Sequence, residues 1–171
     1  QYTDERIFDL YEKWGEKFYC GYDPTADSLH LGHFLTFMAA VNFMKRGNTF
    51  VMLIWGATGM IGDPTGKSEA RAFLWLDQLR HNQEAITKQV GQILENLKKL
   101  TGKDFQFKVV NNYDFYKDLS VFDWYRTVGK YITLNTMLSK ESVKKRLENT
   151  ESGISYTEFS YMLLQGNDFV H

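Results

Sequence analysis

The chain has 171 residues, 43% hydrophobic, 16% aromatic and 24% charged, with 20 Lys and Arg against 21 Asp and Glu. Hydrophobicity this high excludes a disordered segment, and balanced charge excludes a global basic field that draws nucleic acid. A single cysteine excludes a disulfide framework or a Cys-based zinc cluster, and no apolar run approaches the roughly 20 residues a bilayer requires, so a cytoplasmic chain without a membrane partner is expected.

Residues 2–16 predict a short helix with Ile7, Leu10 and Tyr11 inward. Lys17 to Gly21 reads as a short strand, followed by an irregular stretch holding Asp23, Pro24, Thr25, Asp27 and Ser28. From Leu29 to Arg46, Leu31, Leu35, Met38, Val41 and Phe43 predict a broad buried helical face, with Asp27 or Ser28 as N-cap and Gly47-Asn48 as terminator. Phe50 to Trp55 is a continuous apolar run, the pattern of a strand buried on both faces of a parallel sheet. A glycine-rich loop is expected from Gly56 to Lys67. A long helix follows, carrying Ile86, Val90, Ile93, Leu94, Leu97 and Leu100 on one face before Gly102 stops it. Phe105, Phe107 and Val109 alternate with polar residues as a third strand. Strand, helix, strand, helix, strand is half of a doubly wound α/β sheet. Helices are then expected over about 121–135, about 139–149, and from Ser155 to the end. The chain starts at Gln1 without a methionine and runs out inside that last predicted helix, at Asn167 to His171. A piece of a longer protein is the expectation.

Three groups of residues bear on chemistry. Gly62-Asp63-Pro64-Thr65-Gly66-Lys67-Ser68 approaches a phosphate loop but is one residue short, and Pro64 removes a backbone donor from the cradle. A plain glycine-rich turn would account for the glycines but not for Asp63, Lys67 and Arg71 together, and loops at the carboxyl ends of parallel strands are where such sheets bind ligands. His30-Leu31-Gly32-His33 opens a helix just behind the first strand, where free N–H groups and the helix dipole favour an anion. Gly32 permits a flat ring to lie against the helix backbone. With no third ligand evident, no metal site is expected. In the last helix Ser155 and Glu158 form a capping box, and Tyr161, Gln165 and Asp168 fall on one face. That row reads either as a solvated edge or as the wall of a cavity, where it would supply acceptors for an ammonium group and a partner for a ligand hydroxyl. Lys140, Lys144, Lys145 and Arg146 form the basic concentration of the chain, interleaved with Glu141 and Glu148, and read first as a solvated helix face.

In order along the chain, these residues resemble the N-terminal half of the catalytic domain of the bacterial-type tyrosyl-tRNA synthetases, class I enzymes. The resemblance rests on Tyr19-Cys20-Gly21-Tyr22-Asp23-Pro24-Thr25-Ala26-Asp27-Ser28-Leu29-His30-Leu31-Gly32-His33, which contains the His-x-Gly-His signature. It rests equally on Gly59 to Lys67 and on Tyr161-x-x-x-Gln165-x-x-Asp168. It implies a Rossmann-like doubly wound parallel sheet, first half at about 1–112, with a helical insertion and a tyrosine-pocket helix at about 113–171. The second half of the sheet and the tRNA-binding region of the family have no counterpart here, so this piece alone is expected to have little aminoacylation activity.

The implied reaction activates L-tyrosine with ATP to tyrosyl-adenylate and passes the tyrosyl group to tRNA(Tyr), with Mg²⁺ arriving on ATP. By matching positions, Thr25 and His30 are implied on the γ-phosphate side. His33 is implied near the α-phosphate and ribose, Gly32 under the adenine, and the Asp23 backbone against the α-phosphate. Lys67 and Arg71 are implied at the pyrophosphate. Tyr19 and Asp168 are implied on the substrate hydroxyl, Asp63, Tyr161 and Gln165 around its ammonium group, and Asn112 in support of the pocket. The resemblance also implies a homodimer, with Tyr156 at an interface position; Phe122, Trp124 and Tyr131 read equally as further contributors or as core packing. A tryptophan enzyme of the same class, an idle RNA- or protein-binding fragment, and a phosphate-loop NTPase are the alternatives. The Tyr19 and Asp168 pair argues against the first.

Overall fold

The computed structural model describes residues 6, 9, 15–61, 76–148 and 153–171. The helix expected over residues 2–16 therefore lies largely outside the described residues, as do Asp63, Lys67 and Arg71. The described residues fall into two compact units, one drawn from Gln1–Trp55 and Asp77–Val110, the other from Gly56–Leu76 and Asn111–His171.

The first unit is built on strands β1 (Lys17–Tyr22), β2 (Thr49–Ile54) and β3 (Gln106–Asn111), in the sheet order β1-β2-β3. β1 runs parallel to β2 in a register that pairs Lys17 with Thr49 and Tyr22 with Ile54. Helix α1 (Leu31–Met44) connects the first two strands. When successive strands are added in one direction, right-handed crossovers put their helices on one face of the sheet. Accordingly, Phe37, Ala40, Val41 and Met44 of α1 share a core with Phe50, Met52 and Ile54, which are alternate residues of β2. Ile86 and Val90 join that core from the long helix α3 (Leu76–Thr101).

The buried stripe of α1 differs from the expected one. Leu31 and Leu35 are 75% and 65% exposed. At 3.6 residues per turn they lie roughly 120° and 160° around the helix from Phe37, so the strand contact chosen by Phe37 and Val41 turns them away from the core. The last apolar residue of the α3 pattern, Leu100, is likewise exposed, beyond the end of the sheet-facing stripe. Gly47 and Gly102 end their helices at φ of 81° and 67°, in the left-handed region that glycine enters without strain.

The second unit departs most from expectation at Gly56. The anticipated loop begins as a helix, α2 (Gly56–Ile61). Two glycines in six residues argue locally against it. The helix forms because the buried Asn112 side chain accepts a hydrogen bond from the Ala57 N–H at 2.8 Å, satisfying a first-turn donor, and because Gly56 leaves room for the Asn111 amide. α2 packs against α4 (Tyr113–Tyr116) and against α8 (Tyr156–Asp168).

The single helix expected over 121–135 is broken into α5 (Val121–Thr127), a 3₁₀ turn (Gly129–Tyr131) and α6 (Leu134–Leu138). Gly129 weakens the middle, and Thr133 caps a new start by accepting from the Thr136 N–H at 3.2 Å. α7 (Glu141–Glu148) carries the Lys145–Glu141 ion pair at 2.8 Å on an exposed face. α8 starts with the anticipated capping box of Ser155 and Glu158, but it ends at Asp168 instead of continuing to the last residue.

Candidate functional site

In the first unit, the His30 and His33 cluster sits where β1 hands over to α1. The N-cap is His30, not Asp27 or Ser28. Just before it, the Leu29 N–H is held by Gln89 Oε1 at 2.8 Å. His30 Nδ1 accepts from the His33 N–H at 3.3 Å, which places the proton of a neutral His30 ring on Nε2. That donor belongs to an exposed side chain at a helix N-terminus. The two imidazoles stack with centroids 3.6 Å apart and planes 19° from parallel.

Gly32 makes room for this arrangement. A Cβ there would lie 3.0 Å from His30 Cε1 and 3.1 Å from Nδ1, so the flat ring resting against this backbone is that of His30. Behind the pair, the Tyr22 ring meets His33 edge-on at 5.5 Å. Thr36 Oγ1 gives its proton to the His33 carbonyl at 2.8 Å, so the Tyr22 hydroxyl donates to Thr36 at 3.1 Å. Burial pushes the Tyr22 phenol up to about 12, and it stays protonated.

Burial first, and the His30 ring second, hold His33 below the usual imidazole range, against a smaller opposing effect of Asp23. His33 is therefore neutral at pH 7. Its Nδ1 is buried without a hydrogen-bond partner among the described residues. An unsatisfied buried nitrogen costs about 1–3 kcal/mol. A depressed histidine also makes stability depend on pH. Its contribution is intact above the unfolded value near 6.5 and is lost as pH falls through the lower folded value. Urea unfolding at pH 7.5 and 5.5 is expected to show a smaller acid loss in His33→Gln than in the wild type. An identical loss would sink this assignment.

The loop before the helix is braced from α3. Asn82 is buried and donates to the Pro24 carbonyl at 2.8 Å, while the Thr25 N–H returns to the Asp23 carbonyl at 2.9 Å. This leaves Thr25 exposed at the turn. Tyr19 lies on the face of β1 opposite Phe18, Cys20 and Tyr22, and is 39% exposed.

In the second unit, Asp168 is the centre of a buried polar network. It is only 6% exposed and Asn112 is fully buried. Asn112 Nδ2 donates to Asp168 Oδ2 at 3.1 Å and to Thr58 Oγ1 at 3.1 Å. The Tyr116 hydroxyl lies 2.7 Å from Asp168 Oδ1. Burial raises the Asp168 carboxyl above the usual carboxylate range, and the Tyr116 and Asn112 hydrogen bonds offset only part of that rise. Tyr161 is buried on the same helix face, while Gln165, placed between them by the helical period, is exposed.

Asn82, Thr58 and Tyr116 were not apparent from the sequence. Asn82 carried one signal, a polar residue on the stripe of Leu79, Ile86 and Val90. Tyr116 carried none, since a tyrosine after Phe115 is ordinary core composition.

An open apolar groove of about 290 Å³ lies beside this network, walled by Tyr116, Trp124, Tyr125, Tyr156 and Leu164. Tyr125 and Tyr156 touch through their hydroxyls at 3.4 Å. Phe122 and Tyr131 are 80% and 74% exposed. Lys140, Lys144 and Lys145 are exposed, and the Arg146 side chain lies outside the described residues. Among the described residues no cluster of His, Cys, Asp and Glu could hold a metal ion, and no helix is long and apolar enough to cross a membrane.

Comparison with known proteins places these features in a family. Residues 15–171 match the tRNA synthetases class I (W and Y). The chain is 44% identical over 172 residues to a tyrosine–tRNA ligase of Lactiplantibacillus plantarum, covering all of this chain and 39% of that protein. It is 49% identical over 154 residues to the tyrosine–tRNA ligase of Bacteroides fragilis, covering 90% of this chain and 35% of that one. The chain thus spans less than half the length of the curated relatives it matches. Its fold superimposes with a TM-score of 0.83 on a C-terminally truncated mitochondrial tyrosyl-tRNA synthetase of Aspergillus nidulans, at 30% identity, over 97% of this chain and 48% of that one. An Archaeoglobus fulgidus tyrosyl-tRNA synthetase shares the fold at a TM-score of 0.64 and 16% identity, over 98% of this chain and 46% of that one. With a parallel α/β sheet, paired histidines at the first crossover helix and a family match over nearly its whole length, the chain belongs to the class I tRNA synthetases of the tryptophan and tyrosine group.

Proposed function

We propose that the chain is the N-terminal part of the catalytic domain of a cytoplasmic tyrosine–tRNA ligase. The observation that carries this reading is Asp168. Its carboxylate is buried, gripped by two donors and left with spare acceptor capacity, which suits a phenolic hydroxyl and finds no partner on phenylalanine. The identity of 44% and 49% to tyrosine ligases supports tyrosine over tryptophan.

In this reading the tyrosine carboxylate attacks the α-phosphate of ATP. A carboxyl oxygen to phosphorus bond forms, the bond to the bridging oxygen breaks, and pyrophosphate leaves with that electron pair. No protein atom is covalently involved, so the residues act by position and charge. Thr25 and His30 hold the γ-phosphate side, with His30 donating from Nε2. His33 faces the α-phosphate and ribose, with Gly32 and the Asp23 backbone beside it. Lys67 and Arg71 neutralise the pyrophosphate. Tyr19 and Asp168 take the substrate hydroxyl, Asp63, Tyr161 and Gln165 its ammonium group, and Asn112 supports the pocket. Magnesium accompanies the ATP phosphates and needs no cage of protein ligands.

The first Rossmann half at about 1–112 and the insertion and pocket helix at about 113–171 would then be completed by a second half and a tRNA-binding region, as the greater length of the relatives supports. The exposed aromatics Phe122, Tyr125, Tyr131 and Tyr156 support a homodimer.

Amino-acid-dependent ATP–pyrophosphate exchange by the full-length protein tests the proposal. Exchange with tyrosine but not phenylalanine or tryptophan is expected. Exchange with tryptophan alone would move the chain to the other branch of its family. ATP hydrolysis without any amino acid would point to a phosphate-loop enzyme, and folded protein inert in every assay to a binding module.

A further inference from the structure

We propose that Tyr116 is a positioning residue that aims Asp168 at the substrate hydroxyl and thereby sets the discrimination between tyrosine and phenylalanine. This rests on the tyrosine–ligase reading above.

Tyr116 ends α4, and its hydroxyl reaches three groups of α8. It lies 2.7 Å from Asp168 Oδ1 and 2.8 Å from the Leu164 carbonyl, and Asn167 Nδ2 approaches it at 3.4 Å. One phenolic proton serves two acceptors, and the charged carboxylate makes the shorter and stronger bond. Asn167 donates into the remaining lone pair, orienting the proton towards those acceptors. Asn112, the residue before α4, holds the other carboxylate oxygen. The carboxylate plane is therefore set from both ends. An ionised carboxylate offers about four lone-pair sites, so two stay free for a ligand donor.

The consequence for selectivity follows from charge. A carboxylate buried this deeply protonates unless donors support its anion. The titratable groups facing Asp168 among the described residues are Tyr116 and, beyond the helix end, His171. Leaving a charged acceptor without its ligand costs more than leaving a neutral acid, so phenylalanine is rejected more strongly while Tyr116 keeps Asp168 ionised.

The test is Tyr116→Phe in the full-length protein, which removes one oxygen and keeps the ring. In pyrophosphate exchange, KM for tyrosine is expected to rise about tenfold with kcat within about twofold, the loss of one charge-assisted hydrogen bond. The ratio of kcat/KM for tyrosine over phenylalanine is expected to fall by about the same factor. A merely structural role, through the lost Leu164 bond, would lower both amino acids together and leave the ratio unchanged. An unchanged ratio with an active wild type overturns this inference alone. A wild type that activates no tyrosine overturns the ligase reading and this inference with it.

Discussion

His30→Ala is expected to slow tyrosine-dependent pyrophosphate exchange by about 10²–10³-fold, the effect of removing one preorganised donor from a developing anion, while the KM for tyrosine stays near that of the wild type. The expectation comes from geometry. Nδ1 of His30 is spent on the His33 N–H, so the ring has one donor left, Nε2, and it is carried by an exposed side chain at a helix N-terminus. Alanine removes two things at once. The cap is worth about 1 kcal/mol of stability, and the donor is worth the rate.

His30→Asn separates the two. Asparagine caps helices well but is too short to reach where the imidazole Nε2 stood. Thermal unfolding should therefore recover in His30→Asn while the exchange rate does not. Recovery of both would reduce His30 to a structural cap and would remove the phosphate role from the proposed mechanism.

Asp168→Asn is expected to lower kcat/KM for tyrosine by about 10²–10³-fold and to leave the weak phenylalanine reaction nearly unchanged, measured in the same exchange assay. The tyrosine enzymes are themselves the standard example of this kind of discrimination. Asp168 receives donors on both oxygens, Tyr116 on one and Asn112 on the other. An amide presents a single acceptor oxygen, so its NH₂ must face one of those two donors, and the ligand hydroxyl loses a charged partner. Stability should change by less than about 2 kcal/mol, because relief of a desolvated charge offsets the hydrogen bonds lost. Equal losses with both amino acids would place Asp168 in general support of the fold and not in recognition of the hydroxyl.

The elements governed by near neighbours in the chain were legible without coordinates. The apolar run at Phe50 to Trp55 became β2, and the alternation from Phe105 became β3. Glycines at 47 and 102 stopped their helices. The Ser155 and Glu158 box started α8, which put Tyr161, Gln165 and Asp168 on one face. Each of these depends on residues within about a turn of helix or a few strand positions, where periodicity and capping carry the information.

What only the tertiary structure decided depends on partners far apart in sequence. Asn112 lies 55 residues from the Ala57 N–H it satisfies and 56 from Asp168, and these bonds support the helix at Gly56–Ile61 and hold a buried carboxylate. Tyr116 meets Asp168 across 52 residues, and Gln89 holds the Leu29 N–H ahead of α1 across 60. A side chain's type states what bond it can make, but burial removes water as the alternative partner, and only the folded chain says which group takes water's place. The sequence thus determined the elements and the chemical inventory of the site, and the packing of the chain determined which of those groups is charged, which is aimed and which is left free for a ligand.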